Sequence, residues 1–152
     1  MWFRVFGTAD TPIDPAEVVE HLRLRGIDVE GHFGGDDQGW FKVDLVLAND
    51  LTLHVERYLT EEEGIREELN AWAAFLESCA ENHYVPRLMQ QMVGTQQLFT
   101  FRVPRDRLED EPVARLCREL CQYLCEKTKG VYQMDGQGFF APEGKLLVRE
   151  SS

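Results

Sequence analysis

Two nearly identical six-residue stretches carry the most suggestive side chains of this chain: DDQGWF at residues 36–41 and DGQGFF at residues 135–140. Each offers a carboxylate, an amide and then an aromatic pair, which suits a polar rim beside an apolar contact. The resulting ligand-binding hypothesis comprises Asp36, Gln38, Trp40, Asp135, Gln137 and Phe139. The alternative is structural, because Asp and Gly tolerate positive φ at hairpins and Gly often marks a bulge. Neither stretch has the spaced oxygen ligands of a calcium loop, so we predict no metal there.

His54 and Glu56 form the best pair for acid–base or metal chemistry, and we include both among the ligand-binding residues. They lie two residues apart in LTLHVERYL, so they point to the same side of a strand. Arg57 faces the opposite side. The alternative is an ordinary polar strand face.

Three cysteines, Cys117, Cys121 and Cys125, recur at every fourth residue of a predicted helix. At 1.5 Å per residue they span about 12 Å, too far for three thiolates to close around one ion. Val113, Leu116, Leu120 and Leu124 share the same stripe. The cysteines are therefore predicted to be small core residues, with Cys125 toward the edge. The alternative is a site that uses Cys117 and Cys121 with ligands from elsewhere in the chain.

Catalytic signatures are missing from the sequence. It has no Gly-rich phosphate loop followed by a lysine, and no Gly-x-Ser-x-Gly. The three serines, Ser78, Ser151 and Ser152, lie in a predicted helix or at the chain end. We predict no catalytic residues and no cofactor.

The elements that would position these residues follow from periodicity and capping. WFRVF predicts a strand, and Asp14, Pro15 and Glu17 predict a helix start that runs to a stop at Gly26. Strand patterns follow through residues 27–59. Thr60 and Glu63 form a predicted capping box for the longest helix, residues 61–80. Residues 81–97 are predicted as a packed loop or a further helical turn. After the strand LFTFRV, a helix begins at Pro112 and ends at Gly130, and two strands close the chain: VYQM continued through DGQGFF, then KLLVRE.

The two hexapeptides occupy the same place in two similar runs of elements, which suggests an internal duplication. We predict an α+β fold in which two βαββ-like units form a largely antiparallel sheet, with the long central helix and two other helices packed on one of its faces. Residues 1–152 are treated as a single domain, with pseudo-repeat units at about 1–59 and 97–150 joined by a helical connection, 60–96.

Charge and composition limit the partners. Acidic residues outnumber basic ones 27 to 16, leaving a formal charge of −11. This field repels phosphate backbones and anionic lipid, so we predict neither nucleic acid nor a membrane surface as a partner. It favours solubility or a basic protein partner. A homodimer is also a possible assembly, because homodimers are the commonest oligomers of soluble proteins. The sequence shows no signal-peptide or membrane-span pattern, and we expect a cytoplasmic protein with reduced thiols.

Two functional hypotheses follow. The first is a non-catalytic protein-interaction or regulatory domain, which the acidity and the missing catalytic signatures favour. The alternative is a small-molecule-binding or enzymatic domain, with a pocket between the two units lined by Trp40, His54, Glu56 and Phe139. A concave cavity that holds His54 or Glu56 would favour the alternative.

Overall fold

The computed structural model describes residues 1–36, 39–48, 51–79 and 82–150. Its strands form one eight-stranded sheet, with every neighbouring pair antiparallel, in the order β2-β3-β4-β5-β1-β6-β7-β8. The strands are β1 (Trp2–Gly7), β2 (Val29–Asp36), β3 (Gly39–Leu47), β4 (Leu51–Leu59), β5 (Gln97–Arg102), β6 (Gly130–Met134), β7 (Gly138–Phe140) and β8 (Leu146–Arg149); the helices are α1 (Pro15–Leu24), α2 (Ile65–Ser78), α3 (Val85–Val93) and α4 (Glu111–Thr128). The predicted α+β class is confirmed. Among the helices described, none has the length and apolar character needed to cross a membrane.

Local sequence signals set some helix boundaries and fail at another. The Asp14 carboxylate accepts a hydrogen bond from the amide of Ala16 at 2.9 Å, and Pro15 is the first residue of α1, as predicted. The capping box at Thr60 is wrong. The Thr60 hydroxyl donates to the carbonyl of Thr95 at 2.6 Å, and its amide donates to Gln96, so Thr60 continues the pairing of β4 with the chain before β5. Helix α2 therefore begins later, after Gly64 at φ 85°.

The central helical segment is divided, and the longest helix lies elsewhere. Helix α2 ends at Ser78. Helix α3 then forms in the segment for which either a packed loop or a further helical turn was predicted. Helix α4, with 18 residues, is the longest. The predicted single central helix over residues 61–80 is wrong in both length and rank.

The helices cover both faces of the sheet rather than one, which corrects the predicted packing. Alternate residues of β1 show this, because Phe3 and Val5 pack with α1 and α4, whereas Phe6 packs with α2 and α3. We call the first side face A and the second face B. Face A is covered from β2 to β7, but α2 and α3 pack on the part of face B that contains β5, β1, β6, β7 and β8.

The two halves interlock in the sheet. In each half a strand and a helix are followed by three strands, β2–β4 or β6–β8, rather than the two of a βαββ unit. Helix α4 connects β5 to β6 across one intervening strand, β1, whereas α1 connects β1 to β2 across three. Both are split β-α-β connections on face A. The two connections cross different numbers of strands. The two similar runs of elements along the chain therefore do not form two similar arrangements in the sheet.

Candidate functional site

Both hexapeptides lie at hairpins. The first joins β2 to β3 and the second joins β6 to β7, which confirms the structural alternative for both stretches, whereas the continuous strand predicted through DGQGFF is wrong. Their shared fourth residue is a glycine at positive φ in both, 111° at Gly39 and 132° at Gly138. Glycine is the residue that adopts this conformation without strain. Gln38 lies outside the described residues, and its role stays a prediction.

The fifth residues of the two hexapeptides, Trp40 and Phe139, lie on opposite faces of the sheet. Trp40 is buried in the core of face A, with its ring centroid 5.9 Å from that of Phe99. Phe139 is 1% exposed in the core of face B, between Trp72 and Phe75 of α2. The predicted pocket lined by both residues is therefore not formed, because the sheet itself separates them.

Trp40 belongs to a hydrogen-bonded structural network. Its indole N–H donates to the carbonyl of Ile13, and the Arg57 guanidinium lies 5.7 Å from its ring centroid. Arg57 also donates to the Trp40 carbonyl at 3.2 Å and to Gln97 Oε1 at 3.0 Å. Burial lowers the pKa of Arg57, an effect that Glu62 and Glu61 oppose. These contacts join β3, β4 and β5 to the segment that precedes α1. Asp36 and Trp40 border an adjoining cavity of about 230 Å³, below the roughly 300–1,000 Å³ typical of small-molecule sites.

Asp135 of the second hexapeptide forms a salt bridge with Arg4 on β1. The Arg4 Nη1 donates to Asp135 Oδ1 at 2.7 Å and to Gln133 Oε1 at 2.8 Å, and its guanidinium lies 5.0 Å from the ring centroid of Trp72. Partial burial alone would raise the pKa of Asp135, but the hydrogen bonds from Gln133 and Arg4 and the Arg4 charge outweigh it and lower that pKa. The side chain of Gln137 is exposed at the hairpin.

His54 and Glu56 lie together on face B, as predicted, but each has a different partner. His54 Nδ1 lies 2.8 Å from Asp44 Oδ1 on β3, and Glu56 accepts a hydrogen bond from the Tyr58 hydroxyl. Both are exposed, and the side chain of His54 is 65% accessible. Burial and the Glu56 hydrogen bond raise the pKa of Tyr58 to about 12. Neither residue lies in a water-excluding cavity.

Asp44 was missed by sequence reasoning, although the hairpin register contains the signal. Leu47 pairs with Leu51 across the tight connection, so counting outward places Asp44 opposite His54. Asp44 also pairs with His32 of β2, and the three residues form a row across face B. Cross-strand neighbours on one face are close enough for such contacts.

The row has part of the chemistry of a catalytic triad and lacks the rest. A carboxylate that orients a histidine is the base half of a nucleophile–His–Asp arrangement. The face B residues nearest to His54 on β3 and β4 are Lys42, Val46, Thr52 and Glu56; they include no Ser or Cys, and the hydroxyl of Thr52 is the one candidate hydroxyl nucleophile among them. In the described part of the chain, no group of three His, Cys, Asp or Glu side chains is arranged to hold a metal ion.

The α4 cysteines are core residues, as predicted. Cys117 is 2% exposed and Cys121 and Cys125 are fully buried, so Cys125 is not at an edge. Burial raises the thiol pKa of all three, to about 12 for Cys117. A thiol with so high a pKa is a poor nucleophile and metal ligand.

The outer hairpin β2–β3 has two exposed aromatic side chains, Phe33 and Phe41, that were not among the predicted site residues. Phe33 is 66% exposed and Phe41 is 49% exposed. Phe33 pairs with Val43 and lies on face A, where it borders a groove against α1. The Phe41 ring lies 3.8 Å from the position that a Cβ on Gly34 would take. Since Gly34 alternates with Phe33 on β2, this ring covers the strand from face B.

Comparison with known proteins gives no relative: no family model, no curated protein and no solved structure matches the chain significantly.

Proposed function

We propose that this protein is a non-catalytic interaction domain of the cytoplasm that binds another protein through its outer hairpin. The observation that carries the proposal is the pair of exposed aromatic side chains, Phe33 and Phe41, on the two sides of β2. Burying a large apolar side chain contributes about 1.5–3 kcal/mol, and aromatic side chains are enriched in protein interfaces.

The arrangement of the polar residues supports the same proposal. His54, Glu56 and Asp135 each make a separate pair on the sheet, and they do not converge on a shared cavity. Trp40 and Phe139, which the enzymatic alternative requires in one pocket, occupy different cores.

The test is native mass spectrometry of tagged protein purified from its own host. We expect a second protein to copurify with the unmodified chain and to be lost from a Phe33→Ala, Phe41→Ala double variant. The matched control is Leu24→Ala, Val93→Ala, which removes two exposed apolar side chains from helices. Retention of a small molecule instead of a protein, or equal loss in both variants, would contradict the proposal.

A further inference from the structure

The two edges of the sheet differ in how well they are protected. Strand β8 has four residues, and the Asn82 side chain donates to its Leu147 carbonyl at 3.0 Å. Strand β2 has eight residues and, among the described strands, pairs only with β3. Arg23 Nε binds the carbonyl of Val29 at its start, and the register shifts at Gly34/Gly35 near its end. An edge strand presents unpaired N–H and C=O groups, so the stretch between these points can receive another strand.

On face A a groove runs beside this edge. It has a volume of about 440 Å³ and lies between α1 and the β2–β3 strands. The absence of a side chain at Gly31 permits the close approach of α1, because a Cβ there would lie 2.5 Å from Val19 Cγ2. Val19, Val43 and Phe33 contribute apolar groups, with Glu20 and Arg23 also on its lining. Alternate side chains of an added strand would point toward this groove.

On face B the surroundings of the same edge are mainly acidic. Glu30 is exposed on β2 itself, Asp28 is exposed just before it, and Asp44 lies on β3. Of the basic groups nearby, Lys42 Nζ already lies 3.8 Å from Asp44, and the Arg23 guanidinium binds the Val29 carbonyl. His32, which pairs with Asp44, is a further titratable residue of β2 on this face. The remaining side chains of an added strand would face these carboxylates.

We infer that the edge of β2 receives an extended segment of a basic protein as an additional strand, with apolar side chains in the groove and Lys or Arg side chains toward Glu30 and Asp44. This inference rests on the proposed function and names its partner chemistry. Main-chain pairing supplies affinity in such strand addition, and alternate side chains supply specificity. A second copy is the poorer occupant, because two chains of charge −11 would bring Asp28 and Glu30 of each edge together.

The probe is a short end-capped peptide that alternates valine and lysine, added to isotope-labelled protein and followed by NMR. We expect amide shifts concentrated on β2 and on the α1 side of the groove, and binding that weakens as salt is raised. Phe33→Ala should reduce affinity about tenfold, and Glu30→Lys by about threefold or more. The matched control is Glu77→Lys, which makes the same charge change at an exposed position on α2 and should leave affinity unchanged.

Two further peptides separate strand addition from simple charge attraction. Replacing the lysines by glutamates, or methylating alternate backbone nitrogens, should abolish the shifts on β2. Equal binding of either peptide, absence of shifts on β2, or a dimer of this chain that dissociates on Phe33→Ala would overturn the inference. A protein that copurifies with the chain but is insensitive to Glu30→Lys keeps the proposed function and overturns the strand addition; absence of any copurifying protein overturns both.

Discussion

Alanine substitutions at the shared glycines of the two hexapeptides should have unequal effects, although both glycines have positive φ. At Gly39, an added Cβ would find its nearest neighbour, Arg57 Nη1, at 3.9 Å. At Gly138, it would lie 2.1 Å from the Val148 carbonyl oxygen and 2.9 Å from the amide nitrogen of Glu150. No side-chain rotation relieves a clash with backbone, so β7 and β8 must separate.

The magnitudes follow from these contacts. The strained φ alone costs about 1–3 kcal/mol, which we expect for Gly39→Ala. At Gly138 the separation of β8 adds the loss of one or two hydrogen bonds, about 1 kcal/mol each, and partial exposure of Val148, worth up to about 2 kcal/mol. We therefore expect Gly138→Ala to reduce the free energy of unfolding by about 1–4 kcal/mol more than Gly39→Ala, within a total of about 5–15 kcal/mol for a domain.

Urea unfolding followed by circular dichroism measures both variants, with Gly64→Ala as the control for strain alone, because Gly64 has φ 85° and no neighbouring atoms within 4 Å of an added Cβ. Equal destabilisation by Gly138→Ala and Gly39→Ala, within about 1 kcal/mol, would refute the reasoning, since that is the error range of such measurements.

Three further predictions concern titrating groups. The lowered pKa of Asp135 contributes stability that is present above its unfolded pKa of about 3.9 and lost as the pH falls through the folded value; between about pH 5 and 2, Asp135→Asn should lose less stability to urea than the unmodified chain, and parallel losses would contradict this. The pKa of Tyr58, raised to about 12, contributes stability that is present below about pH 10 and lost between about pH 10 and 12. In ultraviolet titration, Tyr58→Phe should therefore remove a step near pH 12, and removal of a step near pH 10 would count against it. Iodoacetamide should modify Cys79 before the three α4 thiols, so Cys79→Ser should abolish the fast phase in native protein; a remaining fast thiol would show that α4 is less buried than described.

The sequence predicts those features that local chemistry determines. Asp14 and Pro15 identify the start of α1 because the cap hydrogen bond forms within two residues. The burial of Cys117 follows from its place on an apolar helical stripe. Asp44 could have been placed opposite His54 by counting from the β3–β4 connection, since a hairpin register propagates in steps of one pair.

Features that depend on distant partners were not predictable in this way. Thr60 has the residue type and spacing of a helix cap, but its hydroxyl binds the carbonyl of Thr95, 35 residues further on. The apolar stripes of α2 and α4 look alike in sequence, and their packing on opposite faces depends on contacts with strands that are distant along the chain. For the same reason Trp40 and Phe139, which occupy equivalent places in the two hexapeptides, were expected in one pocket and lie in two cores.

The position of β1 between β5 and β6 has a consequence for the order of events during synthesis. Strand β1 pairs with strands that are made much later: the Met1 ammonium donates to the carbonyl of Val103, 102 residues away, and Arg4 binds Asp135, 131 residues away. At about 5–20 residues per second, the apolar strand WFRVF leaves the ribosome several seconds before β5 and β6 exist. Until then the inner edge of β4 also lacks its neighbour. A nascent chain that has not reached β5 therefore has unpaired edges on both β1 and β4, and unpaired strand edges are prone to aggregation.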